Sequence, residues 1–200
     1  MIDILKMDNS EPFAQFRELY QKATRNNQSA IEAVAISSYS NITKEVDSRF
    51  VNLKYVIGRK LIFFTNYLGP KGTQFKENPS ISALIYWDKI DTQIRIKANI
   101  YKCSAKFSDE HFKNRSPKKN ALAIASNQSQ KIKTYDEVVK KYNNTLNSDC
   151  DFSVRPNYWG GYAFEPYYFE FWIGNESRIN KRNAYILRNN DLWSHSILEP

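Results

Sequence analysis

The sequence lacks the residues on which most metal and nucleotide sites depend. Two histidines and two cysteines among 200 residues cannot form a multi-histidine metal site or a disulfide framework. The His-Glu-x-x-His, Gly-x-Ser-x-Gly, Walker and Gly-x-Gly-x-x-Gly patterns are also absent. Their absence argues against zincins, α/β-hydrolases, P-loop NTPases and Rossmann dehydrogenases. The scattered acidic residues offer no paired carboxylates of the glycosidase kind.

Long apolar runs and linkers are missing as well. No apolar stretch approaches the roughly 18 residues of a membrane span, and the first eight residues are too acidic for a signal peptide. The two thiols, Cys103 and Cys150, lie far apart in sequence, so we expect a reducing, cytoplasmic location with no membrane partner. No repeat or Gly/Ser/Pro-rich linker divides the chain, which predicts a single domain over residues 1–200.

Positive charge is in excess and unevenly placed. Lys plus Arg number 29 against 21 Asp plus Glu, a net charge of +8. Residues 106–141 hold nine of the basic and four of the acidic residues, so +5 of the excess lies there. This balance favours anionic partners. A solvated helical surface would, however, explain the excess positive charge without any partner. A nucleic-acid-binding barrel is an alternative, but no strand alternates aromatic and basic residues.

Apolar periodicity indicates helical and strand-like segments in the first half of the chain. From Glu11 to about Arg25, apolar residues recur every three or four positions, which predicts an amphipathic helix. Strand patterns dominate from about residue 30 to 105. Among them, 49–57 and 60–66 predict a hairpin that turns at Gly58.

The second half of the chain likewise begins with helical patterns and ends with strand patterns. Helical patterns run from about residue 108 to 146, with Ser108 as the expected N-cap of the first helix. Strand patterns return at 162–173, where Pro166 predicts an edge position or a bulge, and at 178–196. This order predicts an α+β domain built on an antiparallel barrel.

Short motifs follow one another at characteristic spacings from about Ala30 to Pro200. In order they are Arg49-Phe-Val-Asn-Leu-Lys54, Phe64-Thr65-Asn66, Lys71-Gly72 with Glu77-Asn78-Pro79, Tyr86-Trp87 with Gln93-Ile-Arg95, Ala125-Ser-Asn-Gln128-Ser129, Tyr158-Trp-Gly-Gly-Tyr162, Glu170-Phe-Trp172 and Arg178-Ile-Asn-Lys-Arg182. Together they resemble the pyridoxamine 5′-phosphate oxidase family of flavin-dependent enzymes. The resemblance implies an antiparallel split β-barrel with peripheral helices.

The resemblance also implies that the chain binds flavin mononucleotide (FMN). The FMN phosphate would meet Arg49, Lys71 and Ser129, two cations and a hydroxyl that suit a dianion. Family positions at the flavin ring or ribitol fall on Lys54, Phe64, Thr65, Gln93, Gln128, Trp172 and Arg182. Members of the family are homodimers with FMN at the interface, so a homodimer is implied here.

The implied reaction is that of an FMN-dependent oxidase. Pyridoxamine or pyridoxine 5′-phosphate becomes pyridoxal 5′-phosphate, with a hydride passing to the flavin and dioxygen reoxidising it to yield hydrogen peroxide. No metal and no nucleic acid are implied. Arg178 falls where the family places an arginine over the substrate, and it is the predicted catalytic residue.

The substrate side departs from the family pattern more than the cofactor side. The family holds the substrate phosphate with Lys, Tyr, Arg and Ser, and its Arg-x-His reads Arg178-Ile-Asn180 here. The predicted substrate-binding residues are therefore Lys54, His111, Arg115, Lys119, Arg178 and Asn180. Taken alone, His111 is expected to lie exposed on a helix.

These departures keep other functions open. Each lost contact costs on the order of 1–3 kcal/mol, so a few changes suffice to alter specificity. The second interpretation is a related FMN-dependent oxidase with a changed substrate, such as a reduced, carboxylated phenazine precursor. The phenazine-biosynthesis oxidases resemble the chain at Leu84-Ile-Tyr86-Trp87 and Ile124-Ala-Ser126. A split barrel that stores or senses flavin without turnover is a further alternative.

Overall fold

The computed structural model describes all 200 residues as nine strands, five α-helices and one 3-10 turn at Asp88–Ile90. The strands are β1 (Asp3–Leu5), β2 (Ala33–Tyr39), β3 (Val46–Ile57), β4 (Lys60–Asn66), β5 (Ser80–Trp87), β6 (Thr92–Lys102), β7 (Trp159–Ile173), β8 (Lys181–Leu187) and β9 (Trp193–Leu198). The helices are α1 (Glu11–Arg25), α2 (Pro70–Glu77), α3 (Ala105–Lys113), α4 (Pro117–Ala125) and α5 (Tyr135–Leu146). None of these helices combines the length and the apolar content needed to cross a membrane.

Six of the strands close into an antiparallel barrel. β3 pairs with β2, β2 with β5, β5 with β6, β6 with β7, β7 with β4, and β4 returns to β3. β8 and β9 extend the sheet beyond β7, and β1 joins β3 in parallel. The predicted α+β class and antiparallel split barrel with peripheral helices are confirmed by this architecture.

The β3–β4 hairpin forms where the sequence predicts it. Gly58 takes a φ of +57° in the turn, a conformation that glycine adopts without steric cost. Within the hairpin Leu53 pairs with Phe63, whereas Tyr55 pairs with Ile62. Lys54 is therefore the extra residue of a β-bulge, which changes the direction of its side chain relative to a regular strand.

β7 belongs to both the barrel and the outer sheet. Its residues 159–164 pair with β4, and its residues 168–173 pair with β8. Pro166 lies between these two parts, where its missing N–H interrupts neither ladder. The register with β6 shifts at the same place, so the predicted bulge is confirmed.

The core fills the barrel and the space between the barrel and α1. The apolar face of α1 is buried, as its three- and four-residue spacing predicts. Phe13 packs edge-on against Phe169 at 5.2 Å between ring centroids, and Phe16 lies 5.9 Å from Trp87. Each fully buried phenylalanine stabilises the fold by about 1.5–3 kcal/mol, so α1 is firmly attached to the barrel.

The helix after β6 begins four residues earlier than the sequence predicts. Ser104 is its N-cap, and the Ser104 hydroxyl accepts a hydrogen bond from the Phe107 N–H at 3.3 Å. Ser108 is instead fully buried inside α3, where its hydroxyl accepts from the Gly161 N–H at 3.1 Å. The prediction of Ser108 as the cap was wrong because this hydroxyl satisfies the backbone of β7, a distant partner that local sequence does not reveal.

Candidate functional site

Four of the predicted FMN-binding residues lie together, contributed by β3, β4, α2 and the loop after α4. Lys71 is 9% exposed, and its Nζ donates to Thr65 Oγ1 at 3.2 Å and to Gln128 Oε1 at 3.4 Å. Thr65 Oγ1 also donates to Gln128 Oε1 at 3.3 Å. Arg49 is close enough for its charge to lower the pKa of Lys71. We call these residues, Arg49, Thr65, Lys71 and Gln128, the cationic cluster.

The cationic cluster has more positive charge than its surroundings neutralise. Burial lowers the pKa of Lys71, Arg49 lowers it further, and Asp47 raises it. Asp47 pairs with Arg49, whose other partners are neutral oxygens, including those of Ser38 and Gln74. Lys71 itself has only neutral oxygens as hydrogen-bond partners. A buried ammonium beside a guanidinium fits a phosphate dianion, which accepts charge-assisted hydrogen bonds from both.

The residue after Lys71 brings its helix close to β4. A Cβ at Gly72 would lie 2.0 Å from the carbonyl oxygen of Tyr67, so a larger residue would force α2 away. Pro70 occupies the first turn of α2, where its missing N–H costs no hydrogen bond. The sequence Pro70-Lys71-Gly72 therefore holds the Lys71 ammonium near Thr65.

An aromatic wall, formed by Phe64, His111 and Trp159, stands beside the cationic cluster. The His111 ring stacks on Phe64 with 3.6 Å between centroids and 11° between planes. Trp159 stacks on Phe64 with 5.4 Å between centroids. Because α3 packs this ring against β4, the expectation that His111 lies exposed was wrong.

The His111 imidazole is neutral at pH 7. Burial lowers its pKa, and the charges of Arg115 and Lys54 lower it further, to about 4. The Nδ1 atom lies 2.9 Å from the Tyr55 hydroxyl, so one ring nitrogen already has a partner. His111 therefore contributes a flat polar surface rather than a positive charge.

A cavity of about 220 Å³ connects the aromatic wall to the cationic cluster. Its lining includes Phe64, Thr65, Arg115, Lys119, Gln128 and Trp159. The Arg115 guanidinium carbon lies 4.4 Å from the centroid of the Trp159 ring, and its Nη2 donates to the Lys119 carbonyl at 3.3 Å. Its buried Nη1 has no hydrogen-bond partner. Arg115 therefore brings to the cavity wall a guanidinium that no carboxylate neutralises, which suits an anionic ligand.

Three further predicted cofactor residues lie in another part of the sheet. Gln93 pairs with Trp172, and Trp172 pairs with Arg182, so their side chains share one face of β6, β7 and β8. Arg182 donates from Nε and Nη2 to Glu170 Oε1 at 3.0 and 2.7 Å. We call Gln93, Trp172 and Arg182 the outer row. Its amide, indole and guanidinium suit an aromatic ring with polar edges.

The cationic cluster and the outer row lie towards opposite ends of β7. Thr65 pairs with Gly160 near the start of the strand, whereas Trp172 lies twelve residues further along. At about 3.3 Å per residue, the strand contour between these positions is about 40 Å. One chain therefore presents two separated groups of predicted FMN-binding residues.

Loops carry most of the remaining predicted residues. Arg178, with a φ of +60°, lies between β7 and β8 at the end of the sheet that holds the outer row. In the same loop Asn180 Oδ1 accepts from the Asn175 N–H at 3.1 Å. Ser129, with a φ of +68°, is exposed after α4 and lines a separate cavity. The structure does not bring Ser129 into hydrogen-bond contact with Lys71.

Comparison with known proteins identifies the family. Residues 159–200 match the region described as the pyridoxine 5′-phosphate oxidase C-terminal dimerisation region. The pyridoxine/pyridoxamine 5′-phosphate oxidase of Leptospira interrogans is 31% identical over 195 residues, which cover 96% of this chain and 89% of the relative. The chain belongs to the pyridoxine/pyridoxamine 5′-phosphate oxidase family. Its similarity to the Hydrogenovibrio crunogenus oxidase 1 is 33% identity over 194 residues, 96% of this chain and 89% of that protein.

Two solved structures share the fold of this chain over almost its whole length. PhzG from Burkholderia lata, in complex with tetrahydrophenazine-1-carboxylic acid, superposes with a TM-score of 0.89 at 25% identity over 96% of this chain and 93% of PhzG. A pyridoxamine 5′-phosphate oxidase-related, FMN-binding protein from Nostoc punctiforme superposes with a TM-score of 0.79 at 12% identity, over 96% of this chain and 99% of that one, which supports the fold. The family assignment confirms the predicted FMN-dependent oxidase class and the FMN cofactor.

Sequence reasoning missed two residues that support the oxidase site. Tyr55 contacts His111, and Glu170 holds Arg182, yet neither residue was assigned a role. Glu170 did carry a signal, because it is an acidic residue inside the aromatic segment from Tyr167 to Ile173. A charge in such a segment indicates a buried pair. Tyr55 carried no comparable signal among many aromatic residues.

Proposed function

We propose that this oxidase converts pyridoxamine or pyridoxine 5′-phosphate to pyridoxal 5′-phosphate, with dioxygen as the electron acceptor. The amine, dioxygen and water give the aldehyde, ammonia and hydrogen peroxide, while the alcohol and dioxygen give the aldehyde and hydrogen peroxide. The observation that carries the proposal is the cavity that the cations Arg115 and Lys119 line together with the aromatic rings of Phe64 and Trp159. Such a cavity suits a flat ring that bears a phosphate. The names of the two curated relatives also support it.

The proposed FMN site uses both groups of residues. Arg49 and Lys71 donate to the FMN phosphate, which relieves the uncompensated charge of the cationic cluster. The Gln93 amide offers both a donor and an acceptor to the flavin pyrimidine edge. Arg182 keeps a positive charge in the same row and stabilises negative charge there. When bound, FMN supplies the two-electron oxidation of the substrate carbon and the transfer of those electrons to the acceptor.

Residues of the proposed substrate site bind and orient the substrate. Arg115, Lys119 and Lys54 hold the phosphate, and the neutral His111 ring adds a polar surface without repelling it. Arg178 is proposed to lie over the substrate and to orient the carbon that is oxidised. Phe64 is half-buried and Trp159 is buried, and together they keep this side of the cavity apolar.

We infer that the working unit is a homodimer with FMN between the subunits. The cationic cluster and the outer row of one copy lie towards opposite ends of β7, which supports a site that the outer row of a second copy completes. The family region described as a dimerisation region covers residues 159–200 and so includes Trp172 and Arg182. A single domain and a cytoplasmic location stay predictions.

Mixed dimers test the shared site. Lys71→Met removes the cationic cluster's ammonium, and Arg182→Gln removes the outer row's guanidinium. Each variant alone should bind FMN at least about tenfold more weakly than the wild type. Co-expression should restore one intact site in each mixed dimer, about a quarter of the wild-type FMN content. No restoration would show that each copy builds its own site.

The substrate is tested on the flavin-loaded protein. Anaerobic pyridoxamine 5′-phosphate should bleach the flavin absorbance, and readmitted dioxygen should restore it with release of hydrogen peroxide. Bound FMN that resists bleaching by both vitamin phosphates would contradict the proposed substrates.

The second candidate is an oxidase of a reduced, carboxylated ring. The superposition on PhzG favours it, as does Lys119 at a position where the family has serine. An additional ammonium in the cavity suits a carboxylate as well as a phosphate. Under this function Lys119→Ser would lower turnover of a carboxylated dihydro ring and spare pyridoxamine 5′-phosphate. Equal effects on both substrates would leave the vitamin phosphate as the better assignment.

A further inference from the structure

Glu170 is a buried carboxylate on the same face of the sheet as the outer row. Its side chain is only 2% exposed, although it carries a charge. Oε1 accepts two hydrogen bonds from Arg182, at 3.0 and 2.7 Å. Oε2 accepts from Arg95 Nη1 and from the Tyr168 hydroxyl, both at 2.8 Å. Both oxygens of this buried group are therefore paired, and two of the three partners are cations.

The surroundings keep Glu170 ionised. Desolvation raises its pKa, but hydrogen bonds from Arg182 and Tyr168 and the charges of Arg95 and Arg182 outweigh that effect and lower it. Two guanidiniums then share one carboxylate, which leaves one positive charge in excess. Since Gln93 and Trp172 lie in register with Arg182, this excess charge stands beside the face offered to the flavin.

The hydrogen bonds fix the orientation of the Arg182 guanidinium. Its Nε–H and one N–H of Nη2 go to Glu170, and one N–H of Nη1 goes to the Glu199 carbonyl at 2.8 Å. A guanidinium has five N–H donors, so two remain, one on each Nη. We propose that Glu170 is a positioning residue that holds these two donors of Arg182 ready for FMN. This inference rests on the proposed FMN site.

The FMN affinity of the 200-residue chain tests this role. The protein is stripped of flavin, and FMN is then titrated in while its fluorescence quenching is measured. Glu170→Gln keeps the shape of the side chain but removes its negative charge. Glu170→Asp keeps the carboxylate but, being one methylene shorter, moves it away from Arg182. Each should weaken FMN binding on the order of tenfold. Glu165→Gln is the matched control, because Glu165 lies on the same strand, is 45% exposed and contacts Tyr101 and Lys60. That control should bind FMN within about twofold of the wild type.

A double-mutant cycle separates positioning from simple structural support. In an Arg182→Gln background, Glu170→Gln should have no further effect on FMN affinity, because the group it positions is gone. A purely structural role would instead lower FMN affinity by the same factor in both backgrounds, and that result would overturn the inference. If Glu170→Gln does not fold, as the melting temperature of the flavin-free protein will report, Glu170→Asp decides the question.

The two levels of the proposal fail in different ways. Wild-type protein that binds no FMN would overturn the proposed function and this role with it. Wild-type protein that binds FMN with the same affinity as both Glu170 variants would overturn only the positioning role.

Discussion

Acid should destabilise the fold through the imidazole of His111. In the folded chain, burial and the charges of Arg115 and Lys54 lower its pKa from 6.5 to about 4. An unfolded chain titrates near pH 6.5, so below that pH the unfolded state binds a proton that the folded state does not. The stability contributed by the neutral imidazole is therefore complete above about pH 6.5 and is lost as the pH falls towards 4.

The size of this effect follows from the two pKa values. The interval from about 4 to 6.5 is roughly 2.5 pH units, which corresponds to about 3.4 kcal/mol of unfolding free energy if fully expressed. Solvent reaches part of the ring and screens its charge, so we expect about half of that value, near 1.5–2 kcal/mol. The stack on Phe64 does not depend on charge and should persist.

Urea unfolding of the wild type and of His111→Phe, from pH 7.5 to 4.5, measures the effect. The phenylalanine ring can keep the stack on Phe64 but cannot titrate. Taking the difference in unfolding free energy at each pH removes contributions that both proteins share. The wild type should lose about 1.5 kcal/mol more than the variant over this range. Parallel pH dependences would refute the reasoning.

Two further substitutions test the packing and the cavity. Gly72→Ala should cost about 3 kcal/mol because its Cβ would lie 2.0 Å from a backbone oxygen, whereas Gly58→Ala, in open space at a φ of +57°, should cost only about 1 kcal/mol. Equal melting temperatures would contradict this. Arg115→Ala should raise the KM for the phosphorylated substrate about tenfold or more without changing FMN affinity, because Arg115 lines the cavity and no carboxylate neutralises its charge. Lys113→Ala, exposed on α3, should change neither value, and steady-state kinetics with flavin titration compares the two.

The parts of the fold that depend on local pattern could be predicted from the sequence. The apolar spacing of α1 and the turn at Gly58 specify their structures without distant partners, and both form as expected. The start of α3 could not be predicted in this way. The sequence predicts Ser108 as the cap, but the structure uses Ser104. The difference depends on Gly161, which is far away in the chain and whose N–H donates to the Ser108 hydroxyl.

The candidate site could be predicted from the sequence only in part. The order of the motifs pointed to Lys71 and Trp172. Spacing alone does not reveal that Lys71, on α2, lies near the start of β7 whereas Trp172 lies near its end. That separation depends on strand register, which is set by the whole barrel. Likewise, the neutrality of His111 depends on its burial and on two cations brought to it by other segments.

The break in β7 at Pro166 has a mechanical consequence for a two-copy assembly. In the proposed homodimer, each chain contributes the two ends of this strand to two different flavin pockets. A movement of β7 along its own axis at one flavin pocket would then displace the Trp172 indole or the β7 backbone at the other pocket. The irregular segment around Pro166, which lies between the β4 and β8 ladders, is where such a movement can be absorbed. In the proposed homodimer, the stiffness of these few residues would set how strongly a change in one flavin pocket affects the other pocket.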